Sequence, residues 1–264
     1  MTSLYLSLFQ QNVKEYYKEN NINKAVCLLC YQPTTIWVDF LSKFESYDVY
    51  IIVDDNNIDY KSLFPNNKNI NFIQILDQEC YDHGFMDINF CINKKVTSWE
   101  KGLYYFSSLH TTYSYVWFFE DDVFFYNEMT LLGIDSKYEE SDLISNVYSE
   151  NKDGIISDWH WPRIVINQNP PYYCAMVCAV RMSTNMITCI KEYATKHNTL
   201  FFLEALFPTL CKSNHLKHDF ALELSNIVYR KEYTTKDIEK INLYHPVKNI
   251  QQHIMFREYL EKKE

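Results

Sequence analysis

The amino-acid sequence predicts an α/β fold, a single domain with a mostly parallel central sheet flanked by helices. Three observations point there. Continuously apolar runs of strand length recur along the chain, as in strands covered on both faces. Segments with apolar residues at helical spacing stand between them, and alternation of the two types favours parallel pairing. The 264 residues include 47% hydrophobic and 22% charged side chains, a composition that can bury a core and does not read as disordered. No repeat, long linker or low-complexity tract divides the chain, so 1–264 reads as one unit.

Residues 25–31 (AVCLLCY) form the first expected strand. Apolar residues at 36, 37, 40, 41 and 44 place a helix across 34–44. The run 47–53 (YDVYIIV) is a second strand, stopped by the turn-forming Asp54-Asp55-Asn56-Asn57. A third covers 71–76 (NFIQIL), after the polar loop 66–71. Residues 97–109 read as a helix and 115–119 (YVWFF) as a buried strand. That strand meets Glu120-Asp121-Asp122 and is expected to resume over 123–126. A weaker strand follows at 142–147, an aromatic loop at 159–162, one strand over 172–180 and a helix over 185–196. Residues 199–210 are helix-like, with Pro208 as a possible break, and 248–264 form an amphipathic terminal helix.

Composition removes several function classes. With 4 glycines, where average usage would give roughly 18, neither a GxGxxG dinucleotide loop nor a GxxxxGK[ST] phosphate loop can be written. The formal charge of -9 argues against nucleic acid as a partner. A divalent cation can still join phosphates to an acidic protein. The N-terminal apolar run lacks a basic lead and a small-residue cleavage site, so no signal peptide is expected. No stretch has the length of a membrane span. The eight cysteines sit mostly in apolar runs, as small core residues do. Together these features predict a cytoplasmic or otherwise soluble intracellular protein with free thiols. Cys27-x-x-Cys30 reads as core and not as a zinc or redox pair, because it lies inside a strand and has no second CxxC.

The acids closing YVWFF carry the most information. Three adjacent carboxylates repel, and burying them uncompensated is costly. Ligands of open parallel sheets bind at the carboxyl ends of strands. Acids placed there suit a hard divalent ion, Mn²⁺ or Mg²⁺, that also accepts diphosphate oxygens.

With its motif Trp117-Phe118-Phe119-Glu120-Asp121-Asp122-Val123, the chain resembles the GT-A class of nucleotide-sugar glycosyltransferases. There a DxD-type motif ends a central strand of a Rossmann-like domain, and EDD is a known form of it. The resemblance implies a nucleotide-binding half at about 24–126 and an acceptor half at about 127–250. It assigns Asp122 to the metal, and Glu120 and Asp121 to the ribose or to metal-bound waters. Asp54 and Asp55 would lie against the nucleoside, with an Asx turn as the alternative. Trp99 and Lys101, on the preceding helix, would face the donor, with a core position as the alternative for Trp99. In His245-Pro246-Val247-Lys248, the imidazole would complete the metal shell and Lys248 would touch the diphosphate.

Glu204, in FFLEALF, is the expected general base, since a carboxyl among apolar neighbours has a raised pKa. Asp158 and Asp219 are the reserves. Trp159-His160-Trp161 reads as an acceptor platform whose rings stack on sugar faces. The expected activity is metal-dependent, inverting transfer from a UDP-sugar to a glycan or small hydroxyl acceptor. The alternatives are a retaining enzyme of the same fold, a metal-dependent phosphohydrolase, and a non-catalytic nucleotide-sugar or glycan-binding module.

Overall fold

A computed structural model describes residues 23–90, 92–110, 112–155 and 158–263. The segment read above for a leader lies outside these residues. The first half runs β1 (Lys24–Cys30), α1 (Thr35–Leu41), β2 (Asp48–Val53), α2 (Tyr60–Leu63), β3 (Ile70–Gln74), α3 (Asp77–Asp82), α4 (Ser98–Tyr104) and β4 (Tyr115–Glu120). Helix α4 continues as a π-helical turn over Tyr105–Leu109. The second half runs α5 (Glu128–Lys137), β5 (Leu143–Ser145), β6 (Tyr148–Asn151), β7 (Tyr172–Ala175), β8 (Ala179–Ser183), α6 (Thr184–His197), α7 (Leu203–Ser213), β9 (His218–Phe220), β10 (Asn226–Ile227), β11 (Tyr244–His245) and α8 (Ile250–Glu261).

Seven strands form the central sheet in the order β3-β2-β1-β4-β8-β5-β9. Pairing is parallel from β3 through β4 and between β5 and β9, and β8 is antiparallel to both β4 and β5. The fold is therefore α/β with a mostly parallel sheet, as the alternation of apolar runs requires. Side chains alternate between faces. Ala25, Cys27 and Leu29 pack into the core on one face, and Val26, Leu28 and Cys30 into the core on the other. Cys27 and Cys30 thus sit on opposite faces and cannot share a metal.

Local signals start the helices. The Thr34 hydroxyl accepts the Trp37 N–H at 3.3 Å to cap α1. At α4, Thr97 and Glu100 cap each other's backbone. Glu100 also accepts the Ile88 N–H at 2.8 Å. Burial pushes the Glu100 carboxyl up to about 7, against these hydrogen bonds.

Toward the amino ends of the strands, Asp135 of α5 gathers a buried network. It accepts from Lys24 Nζ at 2.7 Å, the Tyr47 hydroxyl at 2.6 Å, Trp117 Nε1 at 2.9 Å and Arg181 Nη1 at 3.0 Å. Burial opposes its charge, but Lys24 and Arg181 hold the carboxyl below the usual range.

Three expected elements differ. The apolar run 172–180 is two strands, because the chain leaves the β6–β7 hairpin and enters the central sheet as β8. Residues 123–126 do not resume a strand; a turn closes from Val123 N–H to the Glu120 carbonyl at 3.1 Å, and Phe124 makes one antiparallel bridge with Tyr244. Pro208 lies inside α7 and does not break it. It lacks the N–H that would have reached the Glu204 carbonyl. Helix α8 packs Phe256 and Leu260 against Phe124, Tyr244 and Val247, pinning the C-terminal segment beside the acid turn.

Candidate active site

The acids stand at the carboxyl end of β4, beside β1, where the chain's crossovers diverge to either side of the sheet. Four backbone ties hold their turn. Glu120 N–H donates to the Cys178 carbonyl at 3.0 Å, Val247 N–H to the Asp122 carbonyl at 2.7 Å, and Phe124 and Tyr244 exchange a pair at 2.8 and 2.9 Å. Trp37 Nε1 donates to the Asp121 carbonyl at 2.8 Å.

These ties aim two of the three acids at one point. Glu120 Oε1 accepts from Trp99 Nε1 at 2.7 Å. Its other oxygen, Oε2, lies 3.9 Å from His245 Nε2. Asp122 Oδ1 lies 3.3 Å from the same nitrogen, yet it is sealed from solvent and accepts no hydrogen bond. Burial raises the Glu120 carboxyl pKa, and the Trp99 N–H offsets part of that shift. A carbonyl can only accept, so the 2.8 Å contact of His245 Nδ1 with the Val228 carbonyl puts the proton on Nδ1. Nε2 faces the acids; burial opposes a charge on the ring, but Asp122 and then Glu120 raise its pKa above the usual value. Pairing of β10 with β11 fixes this arrangement, since it sets Ile227 opposite His245.

Glu120, His245 and the thiol of Cys178 place ligand atoms within 4.8 Å of one another. With the partnerless Asp122 oxygen, these donors fit a divalent cation. A bound ion would satisfy the orphaned oxygen and offset the paired negative charges.

The group opens into a cleft of about 1490 Å³. Glu204 lines it from the first turn of α7. Desolvation, then the nearby Glu120 charge, push the Glu204 carboxyl up to about 7. Lys248 is exposed at the rim. Trp159, His160 and Trp161 also reach the cleft, but unequally. Trp159 is 40% exposed, whereas Trp161 is 5% exposed and packs in the core. Phe202, at the N-terminus of α7, backs Trp159 and His160 with ring centroids at 5.7 and 5.8 Å. Asp158 lines the same cleft.

Other expected site residues lie elsewhere among the described residues. Lys101 is fully buried and pairs with Asp54 at 2.8 Å and Asp77 at 2.9 Å. Lys94 Nζ meets both Asp54 oxygens at 2.8 Å. Asp55 is buried and accepts from Gln32, Tyr60 and both nitrogens of Asn57. These are the contacts of an Asx turn, and they hold its carboxyl down to about 2. Trp99 is a core residue that spends its one donor on Glu120. Asp121 is exposed and does not line the cleft. The reserve Asp219 pairs with Lys217 at 3.6 Å, away from the cleft.

Sequence reasoning missed Cys178 and the part Trp99 plays in holding Glu120. A signal for the first was present. Met176 and Cys178 line the cleft, while Val177 between them packs in the core.

The sequence matches no protein-family profile and no curated protein. Solved structures similar to the chain include 4-diphosphocytidyl-2C-methyl-D-erythritol synthase from Anaerococcus prevotii, at 13% identity and TM-score 0.48, covering 91% of this chain and 98% of that one. An active-site mutant of LgtC is similar at 11% identity and TM-score 0.48, covering 90% and 95%. Mouse xyloside xylosyltransferase 1 in its apo form is similar at 9% identity and TM-score 0.43, covering 86% and 99%.

Proposed function

We propose that this chain is a metal-dependent glycosyltransferase that moves a sugar from a nucleotide sugar, a UDP-sugar, to a hydroxyl acceptor with inversion. One observation carries the reading. The sealed Asp122 oxygen, which accepts no hydrogen bond, and His245 Nε2 face each other at 3.3 Å in a cleft that also holds Glu204.

Asp122, Glu120 and His245 would hold the ion. When bound, it would neutralise the donor's diphosphate and stabilise charge on that leaving group. Lys248, exposed at the rim, adds a positive charge for the same phosphates. Glu204 accepts the acceptor hydroxyl's proton as its oxygen bonds to the anomeric carbon and the bond to the diphosphate breaks. A carboxyl at about 7 is matched to that task near neutral pH. Trp159 offers an exposed indole face for the acceptor sugar, which selects ring compounds with one apolar face.

The test is hydrolysis of a panel of nucleotide sugars with and without Mn²⁺. Slow release of UDP that needs the metal is expected, and it should disappear in Asp122→Ala. Cleavage of simple phosphate esters instead would make the protein a phosphohydrolase. Tight donor binding with no turnover on any acceptor would make it a binding module.

A further inference from the structure

The metal reading accounts for Glu120, Asp122 and His245 but leaves a fourth group unexplained. Cys178 Sγ lies within 4.8 Å of both the Glu120 carboxylate and the His245 ring nitrogen. Its position is not accidental to the loop. The Cys178 carbonyl accepts the Glu120 N–H at 3.0 Å, so the backbone carrying the thiol is tied to the residue that ends β4. The side chain is 8% exposed, and the cleft is what it meets. Its sulfur contacts Met176 Sδ at 3.9 Å, and Cys174 lines the same cleft. A carboxylate pair alone suits hard ions that keep several waters. An imidazole and a thiolate added to it give a nitrogen–oxygen–sulfur set, which favours borderline and soft ions.

Resting on the metal site proposed above, we propose that Cys178 is itself a ligand of the ion, so that the site takes a thiophilic divalent cation of the Zn²⁺ or Co²⁺ kind in preference to Mg²⁺. Binding forms one sulfur–metal bond and breaks the S–H bond, and the proton leaves to solvent. No electron is transferred. The ligands are then Glu120, Asp122, His245 and Cys178, from the end of β4, its turn, β11 and the loop between β7 and β8. Affinity should climb from Mg²⁺ through Mn²⁺ and Co²⁺ to Zn²⁺ more steeply than carboxylates and one imidazole alone would produce. A second consequence is that a free zinc ion would compete with Mn²⁺ for the donor site.

The test is a Co²⁺ titration of the full chain followed by absorbance, with Zn²⁺ affinity measured by chelator competition. The wild type should show visible cobalt bands together with a near-ultraviolet sulfur-to-cobalt charge-transfer band. Cys178→Ser and Cys178→Ala should keep the visible bands and lose the charge-transfer band. Their Zn²⁺ affinity should fall at least about tenfold while Mn²⁺ affinity changes by less than about threefold. Cys174→Ser should keep the charge-transfer band, and circular dichroism of each variant should match the wild type. Visible bands with no charge-transfer band in the wild type would overturn the Cys178 assignment and leave the metal site standing. The same holds if the band follows Cys174. No cobalt signal of any kind would overturn both.

Discussion

Two acids at opposite ends of the sheet, one buried and one half-buried, show how the same side chain comes to different uses. Asp135 sits toward the amino ends of the strands, 1% exposed, with four donors around it, two of them cationic. Asp122 sits past the carboxyl end of β4, and its sealed oxygen accepts no hydrogen bond, with only the His245 ring nitrogen set beside it at 3.3 Å. At Asp135 the chain supplies the whole answer to the charge, so the network is structural. At the acid turn Glu120 and Asp122 converge, with one indole N–H and one imidazole between them. A buried polar atom left without a partner marks a place where something from outside completes the set.

Breaking the first region should give the largest effect. Asp135→Ala strands Lys24 and Arg181 without their partner and should lower stability by about 3–5 kcal/mol in urea unfolding. A loss under about 1 kcal/mol would show a pair screened by solvent and erase the contrast. Next, Glu204→Gln should leave donor binding intact and slow transfer by roughly 10²–10⁴-fold. Retained activity would remove Glu204 as the base. Because the base works deprotonated and its carboxyl lies at about 7, transfer should fall about tenfold per pH unit below that value.

The two regions should also respond to pH with opposite sign. Glu204 is raised, so its contribution to stability is fully present below 4.5 and is lost as pH rises through about 7. Asp135 is lowered, so its contribution is present above 3.8 and is lost as pH falls through its folded value. A thermal melt series from acid to pH 8 on wild type, Glu204→Gln and Asp135→Asn resolves the two slopes.

Asp122→Ala sharpens the comparison from the other side. Without metal its melting temperature should change little, since the repulsion with Glu120 and the attraction to His245 are removed together. The metal-induced stabilisation, about 2.7 kcal/mol at a hundred times the dissociation constant, should vanish. The smallest effect belongs to Trp99→Phe, which removes the donor to Glu120 Oε1 and should weaken metal binding by about tenfold. Unchanged affinity would show that Glu120 needs no orienting partner.

Much of the fold was legible because β1, β2 and β4 are continuously apolar and their ends carry acids or turn residues. The boundaries that escaped share a cause. The run 172–180 has no glycine, proline or charge where it changes sheets, so nothing local marks the reversal into β8. Pro208 reads as a breaker but is carried inside α7. Within the candidate site, the acid turn and His245 announce themselves by residue type, and Glu204 by its apolar neighbours. Asp54, Asp55 and Lys101 carry equally suggestive chemistry, yet their charges are satisfied by Lys94, Asp77, Gln32, Tyr60 and Asn57. Pattern cannot distinguish a free carboxylate from a saturated one.

By itself the sequence determined the class of fold, through the period of its apolar residues, and the place of the acids at a strand end. Tertiary structure alone decided which acids are left unanswered and which sulfur joins them. Glu120, Cys178 and His245 come from three distant stretches of chain, and only β4–β8 pairing, the β10–β11 bridge and their backbone ties bring the ligand atoms within 4.8 Å. Distance between side chains is a property of the packed sheet, and no local run of residues encodes it.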